Sequence, residues 1–255
     1  MSTAWRQILA LERPPGPAAG YHAVYGRSQI AKYLPGNCFH LVGRQLLGRE
    51  LGHSQAALAM ATLLEAALLV ALAASLAAPL ARPWLGGWAA SLPVAALAGL
   101  GLLCAGERLL PQRWWPLPGR AGERGRLLAA LACHGAFFAL AAGLLWLLVA
   151  TVSARAPGMP GPLMCLAALA CAWAAGFVVP GSPAGLGVRE AVLILALEGA
   201  LGAEAGTVVA LALRLVTTAG DGVFCALALL LPLPQRRCGA GTVKQSKSPS
   251  NVTSS

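Results

Sequence analysis

Charge is what this sequence has least of. Only 11% of its 255 residues are Asp, Glu, Lys or Arg, less than half of the roughly 25% usual in soluble domains. With 57% hydrophobic residues and a mean hydropathy of +0.67, too little polar surface remains to cover a water-soluble particle. A soluble enzyme is excluded and a membrane protein indicated. Paired cysteines are missing too. Of Cys38, Cys104, Cys133, Cys165, Cys171, Cys225 and Cys238, five lie in apolar runs and none is in C-x-x-C spacing, which argues against a zinc site or a secreted disulfide framework. Acidic residues number nine against nineteen basic ones. In a soluble protein the resulting net charge of +10 would suggest nucleic acid. Here the Arg residues flank apolar segments, where they bias orientation and attract anionic headgroups, so no nucleic-acid partner is expected.

Catalytic signatures are equally scarce. No G-x-S-x-G, H-E-x-x-H, Walker loop or D-x-D occurs, so hydrolase, metalloprotease, ATPase and metal-dependent nucleotide-sugar transferase chemistry lack support, and no cofactor is expected. No signal peptide is expected, because Arg6, Glu12 and Arg13 break the first apolar run and Pro14, Pro15 and Pro17 follow.

What the sequence does have is long apolar runs. A helix needs about 20 apolar residues to cross a hydrocarbon layer of roughly 30 Å. Gln55 to Leu80, Gly86 to Ala105, Leu127 to Ala150 and Pro162 to Pro180 meet or approach that length. Gly206 to Pro232 does as well, although it carries Arg214 and Asp221, which must face protein or water. Val188 to Gly202 is apolar but short, and reads as a half-helix, a re-entrant segment or a tilted crossing. The expected fold is therefore all-α, a polytopic transmembrane helical bundle of about six membrane segments interrupted at two Pro-Gly motifs. Residues 1–54 form an interfacial amino-terminal segment, 55–232 the bundle, and 233–255 a disordered tail rich in Ser and Lys. Asn251-Val252-Thr253 on that tail is a chance match to a glycosylation pattern.

Basic residues before the first long helix (Arg6, Arg13, Arg27, Lys32, Arg44, Arg49), in the loop after the second (Arg108 to Arg126) and on the tail (Arg236, Arg237) place both termini in the cytoplasm. The opposite loops carry only Arg82 and Arg155. Trp84, Trp88, Trp114 and Trp115 stand at the expected helix ends, as interfacial aromatics do.

Polar residues cluster in three places. In Lys32-Tyr33-Leu34-Pro35-Gly36-Asn37, Pro35 and Gly36 stop one helix, Asn37 can cap the next, and Asn37, His40 and Arg44 share a helical face. That face suits a lipid headgroup, or equally an interfacial helix whose Lys and Arg snorkel to phosphates. The second cluster runs from Pro180-Gly181 through Gly185, Gly187, Arg189 and Glu190. Irregular backbone at membrane depth is tolerated only when buried in protein or lining a cavity, and the helix start that follows presents free N–H groups to an anion. Arg189 is placed to grip a lipid phosphate, with Glu190 in the first helical turn. The plain alternative is a structural turn at the membrane surface. Third, Arg214, Thr217, Thr218 and Asp221 form a polar stripe that must face inward, either to contact a substrate or to make a structural salt bridge to another helix, for example Arg214 with Glu65. His134 reads as a hydrogen-bonded packing residue.

The Lys32 to Arg44 segment and the Pro180-Gly181 segment with its Gly185-Leu186-Gly187-Val188-Arg189-Glu190 ending resemble the two signatures of the lysylphosphatidylglycerol synthase transmembrane region family, from Trp5 to about Leu231. The loop differs in having Gly181-Ser182-Pro183 where the family more often has Gly-Gly after Pro. The resemblance implies a multi-helix bundle of the bacterial inner membrane that handles phospholipid or glycolipid headgroups, in one branch as a flippase beside an aminoacyl-lipid synthase domain. The synthase domain, and the family's helices ahead of the first motif, are not among these 255 residues, which suggests a truncated or misassigned amino terminus and a separate synthase or glycosyltransferase partner. The expected function is binding, and translocation, of an anionic membrane lipid. Its site residues are Lys32, Asn37, His40, Arg44, Gly185, Gly187, Arg189, Glu190, Arg214 and Asp221. Two rivals remain: an intramembrane lipid-linked glycosyl- or aminoacyl-transferase using Glu190 or Asp221 as base, and a non-catalytic accessory subunit.

Overall fold

The computed structural model describes residues 1–34, 39–85, 123–152, 159–179 and 181–233. Asn37, the Gly86 to Ala105 stretch, Trp88, Trp114, Trp115 and the tail lie outside them. No strand occurs among the described residues, which form eight α-helices and three short 3-10 turns. The helices are α1 (Ser2–Leu9), α2 (Ala18–Gln29), α3 (Phe39–Gly48), α4 (Gln55–Leu85), α5 (Glu123–Val152), α6 (Pro162–Val178), α7 (Val188–Leu201) and α8 (Ala203–Leu230).

Three helices contain segments long and apolar enough to cross a membrane: Gln55–Leu80 in α4, Arg124–Val152 in α5 and Ala203–Leu230, the whole of α8. Their outward faces are apolar, with Leu140 77% and Leu230 82% exposed, which suits a surface solvated by lipid. α6 is apolar but shorter, and the 14 residues of α7 rise only about 21 Å, short of the hydrocarbon thickness. Of the about six membrane segments expected, three are long and apolar enough to cross among the described residues, and the Gly86 to Ala105 stretch lies outside them.

Local chemistry fixes the helix ends. The Ser54 side chain accepts the Ala57 N–H at 3.1 Å to start α4, Pro162 occupies the first turn of α6, and the extended Val179 ends that helix just before Pro180. A single residue, Gly202 (φ 79°, ψ 160°), both closes α7 and opens α8. That conformation is essentially restricted to glycine and folds the two helices into a hairpin. Arg27, read in sequence as a topology charge, donates instead to the last carbonyls of α8: Ala228 at 3.1 Å, Leu229 at 3.2 Å and Leu231 at 2.7 Å. It thereby satisfies groups that a helix end leaves unpaired.

Three clusters of buried side chains hold the bundle. Trp5, Ile8 and Leu9 of α1 pack with Tyr21 and Val24 of α2 and with Leu58 and Leu68 of α4. Leu145 and Val149 of α5 meet Cys165 of α6, Leu193 and Leu197 of α7 and Leu213 of α8. Leu69 and Ala73 of α4 meet Phe138 of α5 and Trp173 of α6. α1 to α3 therefore share a core with the long helices, and a cavity remains where the three clusters meet.

Candidate functional site

The cavity encloses about 480 Å³, within the range of small-ligand sites. Its walls are apolar on the α5 and α6 side and at Leu69 of α4, with Phe137, Trp173 and Phe177, while α4 also brings in Thr62 and Glu65. The walls are charged toward the 3-10 turn Ile30–Tyr33, α3, and the starts of α7 and mid-α8. Of the ten residues singled out from sequence, seven line it: Lys32, His40, Arg44, Arg189, Glu190, Arg214 and Asp221. Gly185 is buried against Arg189, Gly187 (φ 81°) caps α7, and Asn37 lies outside the described residues. Of the stripe on α8, Arg214, Thr217 and Asp221 line the cavity and Thr218 does not.

Six of the seven charged cavity residues are paired. Lys32 Nζ lies 2.6 Å from Asp221 Oδ2, which also accepts the Tyr33 hydroxyl at 2.7 Å. Burial pulls the Lys32 ammonium below its ordinary pKa, against the attraction of Asp221. Arg44 pairs with Glu65 and its guanidinium lies 4.0 Å from the centroid of the Tyr25 ring. Tyr25 donates to the other Glu65 oxygen at 3.1 Å. Arg214 Nε lies 3.4 Å from Glu190 Oε1, and its Nη1 donates to the Ala184 carbonyl at 3.0 Å. The structural salt bridge considered for Arg214 therefore forms with Glu190 and not with the example partner Glu65. Arg44, one helix away, takes Glu65, and Arg214 is held by the turn before α7. His40 is no cation here, because burial, with Arg44 and Lys32 nearby, brings its imidazole to about 4.

Arg189 is the exception. Among the described residues it forms no ion pair and no hydrogen bond, and its Nε is buried without a partner. Its guanidinium lies over Trp173, 5.7 Å from the ring centroid. Two glycines grip its stem. A Cβ at Gly176 would lie 2.5 Å from Arg189 Cγ, and one at Gly185 2.6 Å from Arg189 Nε. The turn supplying the second wall uses the positive φ that glycine adopts freely at Gly181, Gly185 and Gly187 (87°, 73° and 81°), and is strained at Ala184, whose φ is 51°.

The cavity also gathers the bundle's unsatisfied polar atoms. Of eleven buried side-chain N and O atoms without a hydrogen-bond partner among the described residues, seven belong to cavity residues: Gln29, His40, Arg44, Arg189, Arg214 and both oxygens of Glu190. Each such group costs free energy unless something polar fills the space.

Sequence reasoning missed Trp173 and Gly176, which share a face of α6. An isolated glycine in an apolar helix signals a close approach, and here the approaching group is an arginine. The expectation that His134 would be hydrogen-bonded in the packing also fails: it is fully buried, with neither ring nitrogen bonded among the described residues. Comparison of the chain with protein-family models, curated proteins and solved structures returns no match in any of the three, so any functional reading stands on this geometry.

Proposed function

We propose that the protein binds an anionic membrane lipid by its phosphate, with Arg189 as the principal ligand. The observation that carries this reading is that Arg189 is the one cavity cation, among the described residues, left without a carboxylate. The pairs Lys32–Asp221, Arg44–Glu65 and Arg214–Glu190 are each neutral whichever partner holds the proton, so the cavity side chains carry one net positive charge. A planar guanidinium held in place, with its outer nitrogens free, suits bidentate contact with phosphate oxygens. The apolar walls at Trp173, Phe137 and Phe177 suit the upper part of an acyl or prenyl chain.

In this reading the chain is a multi-pass inner-membrane protein of the kind its motifs resemble, with about six membrane segments, α7 counted as the short one among them, and both termini cytoplasmic. The charged end of the cavity receives the headgroup, and passing it between leaflets would make the protein a flippase, with a separate synthase or glycosyltransferase supplying the lipid. Neither Glu190 nor Asp221 stands free as a general base, since each faces a cation, so binding is favoured over transferase chemistry.

The test is a titration of the purified protein in neutral detergent with a monoanionic phosphodiester lipid, followed by thermal stabilisation. Saturable stabilisation that Arg189→Gln abolishes supports the reading, and equal stabilisation of both proteins rejects it.

A further inference from the structure

The carboxylate beside Arg189 is as unusual as Arg189 itself. Both oxygens of Glu190 are buried and neither accepts a hydrogen bond among the described residues, although Arg214 Nε lies 3.4 Å from one of them. An ionised carboxylate only accepts, and has room for about four donors. One misaligned guanidinium nitrogen does not fill that capacity, so this cavity wall calls for donors that the described residues do not supply. Glu190 follows Arg189 directly in the first turn of α7, and both line the same cavity. A ligand held at Arg189 by its phosphate would present the next few atoms of its headgroup to Glu190.

Charge decides which donor those atoms carry. With three neutral pairs and one free cation among its side chains, and the Met1 amino group that also lines it pulled below its ordinary pKa by burial, a ligand of net charge −1 neutralises the cavity. A phosphodiester whose headgroup bears an ammonium can pair its phosphate with Arg189 but brings an extra positive charge that the paired carboxylates do not compensate, and a phosphomonoester near −2 would bury an excess negative charge. A phosphodiester bearing hydroxyls meets both demands. Resting on the lipid-binding reading above, we infer that Glu190 is a specificity-determining residue which accepts a headgroup hydroxyl, and that the ligand is a monoanionic phosphodiester with a polyol or sugar headgroup and no amine.

The experiment compares chain-matched lipids on the purified full chain in neutral detergent, with affinities read by native mass spectrometry. The probes are phosphatidylglycerol (diester with hydroxyls), phosphatidylmethanol (same charge, no hydroxyl), phosphatidylethanolamine (amine) and phosphatidic acid (monoester). Glycerophosphoglycerol, the first headgroup without its chains, separates a lipid from a soluble source. Phosphatidylglycerol should bind about tenfold or more tighter than phosphatidylmethanol, the scale of a hydrogen bond to a charged group, and tighter than the other two lipids. The ratio should fall toward one in Glu190→Met, while Arg189→Gln should weaken both diesters alike. Equal affinity for the glycerol and methyl diesters in the parent protein overturns the role of Glu190 and leaves phosphate binding standing, and no variant is needed to see it. Tightest binding of the ethanolamine or monoester lipid overturns the charge argument. Failure of every lipid sinks the lipid-binding reading as well, and glycerophosphoglycerol binding as tightly as the lipid overturns a membrane source for the ligand.

Discussion

Arg44 and Glu65, side chains from different helices, form the most deeply buried of the ion pairs between described residues, with 3% and 4% of their side-chain surface exposed. The pair is bracketed by aromatic rings. The Arg44 guanidinium lies 4.0 Å from the Tyr25 centroid and 5.5 Å from that of Trp5, and Tyr25 donates its hydroxyl to Glu65. Such an arrangement ties α3 and α2 to α4, and closes one end of the cavity with charges already satisfied by each other.

Breaking that pair from one side should be costly. Arg44→Met or Glu65→Gln alone is expected to destabilise by about 3 to 5 kcal/mol, because each leaves a buried partner uncompensated. The double variant should lose clearly less than the sum. Arg214→Met combined with Glu65→Gln should instead be additive within about 0.5 kcal/mol, since those residues do not pair. Detergent melting of the variant cycles measures both, and strong coupling between Arg214 and Glu65 would contradict the structure.

The glycine slot around Arg189 should be separable from overall stability. Gly176→Ala places a methyl group against Arg189 Cγ and Nε, atoms of a flexible side chain that can swing away at modest cost. Phosphodiester binding should drop about tenfold or more while the protein remains folded. Gly185→Ala adds backbone strain of about 1 to 2 kcal/mol, because its φ is 73°. Unchanged binding in Gly176→Ala would show that the position of Arg189 does not matter.

Acid should destabilise the amino-terminal helices. Burial holds His53 below its ordinary value, against the pull of its bond to Glu12, and burial brings His40 to about 4. Both are refused a proton in the folded state that the unfolded chain accepts below about pH 6.5, so stability falls as pH drops through that range. Glu12 acts in the same direction at lower pH. Burial would raise its pKa, but hydrogen bonds from His53 at 2.5 Å and Ser54 at 2.8 Å outweigh it and hold the carboxyl below its ordinary value. Its contribution is present above the unfolded carboxylate pKa and is lost as pH falls through the folded one. A carboxylate only accepts, so Nδ1 of His53 carries the proton and Nε2 accepts from Tyr21 at 2.8 Å. Melting temperature should fall steadily from about pH 7 to about pH 4, with a shallower slope in His40→Gln. A flat profile would contradict these environments.

The long helices and the polar cluster were legible in the sequence for one physical reason: charge is so rare in the apolar segments that each exception stands out. Arg189, Glu190, Arg214 and Asp221 are visible as such exceptions, and seven of the ten residues chosen line one cavity. What periodicity could not give was pairing. Glu65 lies on α4 and could reach any of several cations, and only the three-dimensional approach of α3 assigns it to Arg44. The packing role of α1 was also hidden. Trp5, Ile8 and Leu9 are fully buried, but a helix of 8 residues leaves too short a pattern to separate from an interfacial segment. The loop glycines read correctly as irregular backbone, yet the slot they complete needs Gly176 from another helix.

The most direct test of the account is the amount of anionic phospholipid that co-purifies with the parent protein, Arg189→Lys and Arg189→Gln at matched yields. Arg189→Lys keeps the positive charge and so preserves membrane orientation, but a point-charge ammonium cannot reproduce the planar two-point grip on phosphate or the contact with Trp173. Near-stoichiometric lipid is expected in the parent, a loss of about tenfold or more in Arg189→Lys and background levels in Arg189→Gln. Equal lipid in all three proteins would contradict this expectation, leaving Arg189 as a structural residue of the first turn of α7.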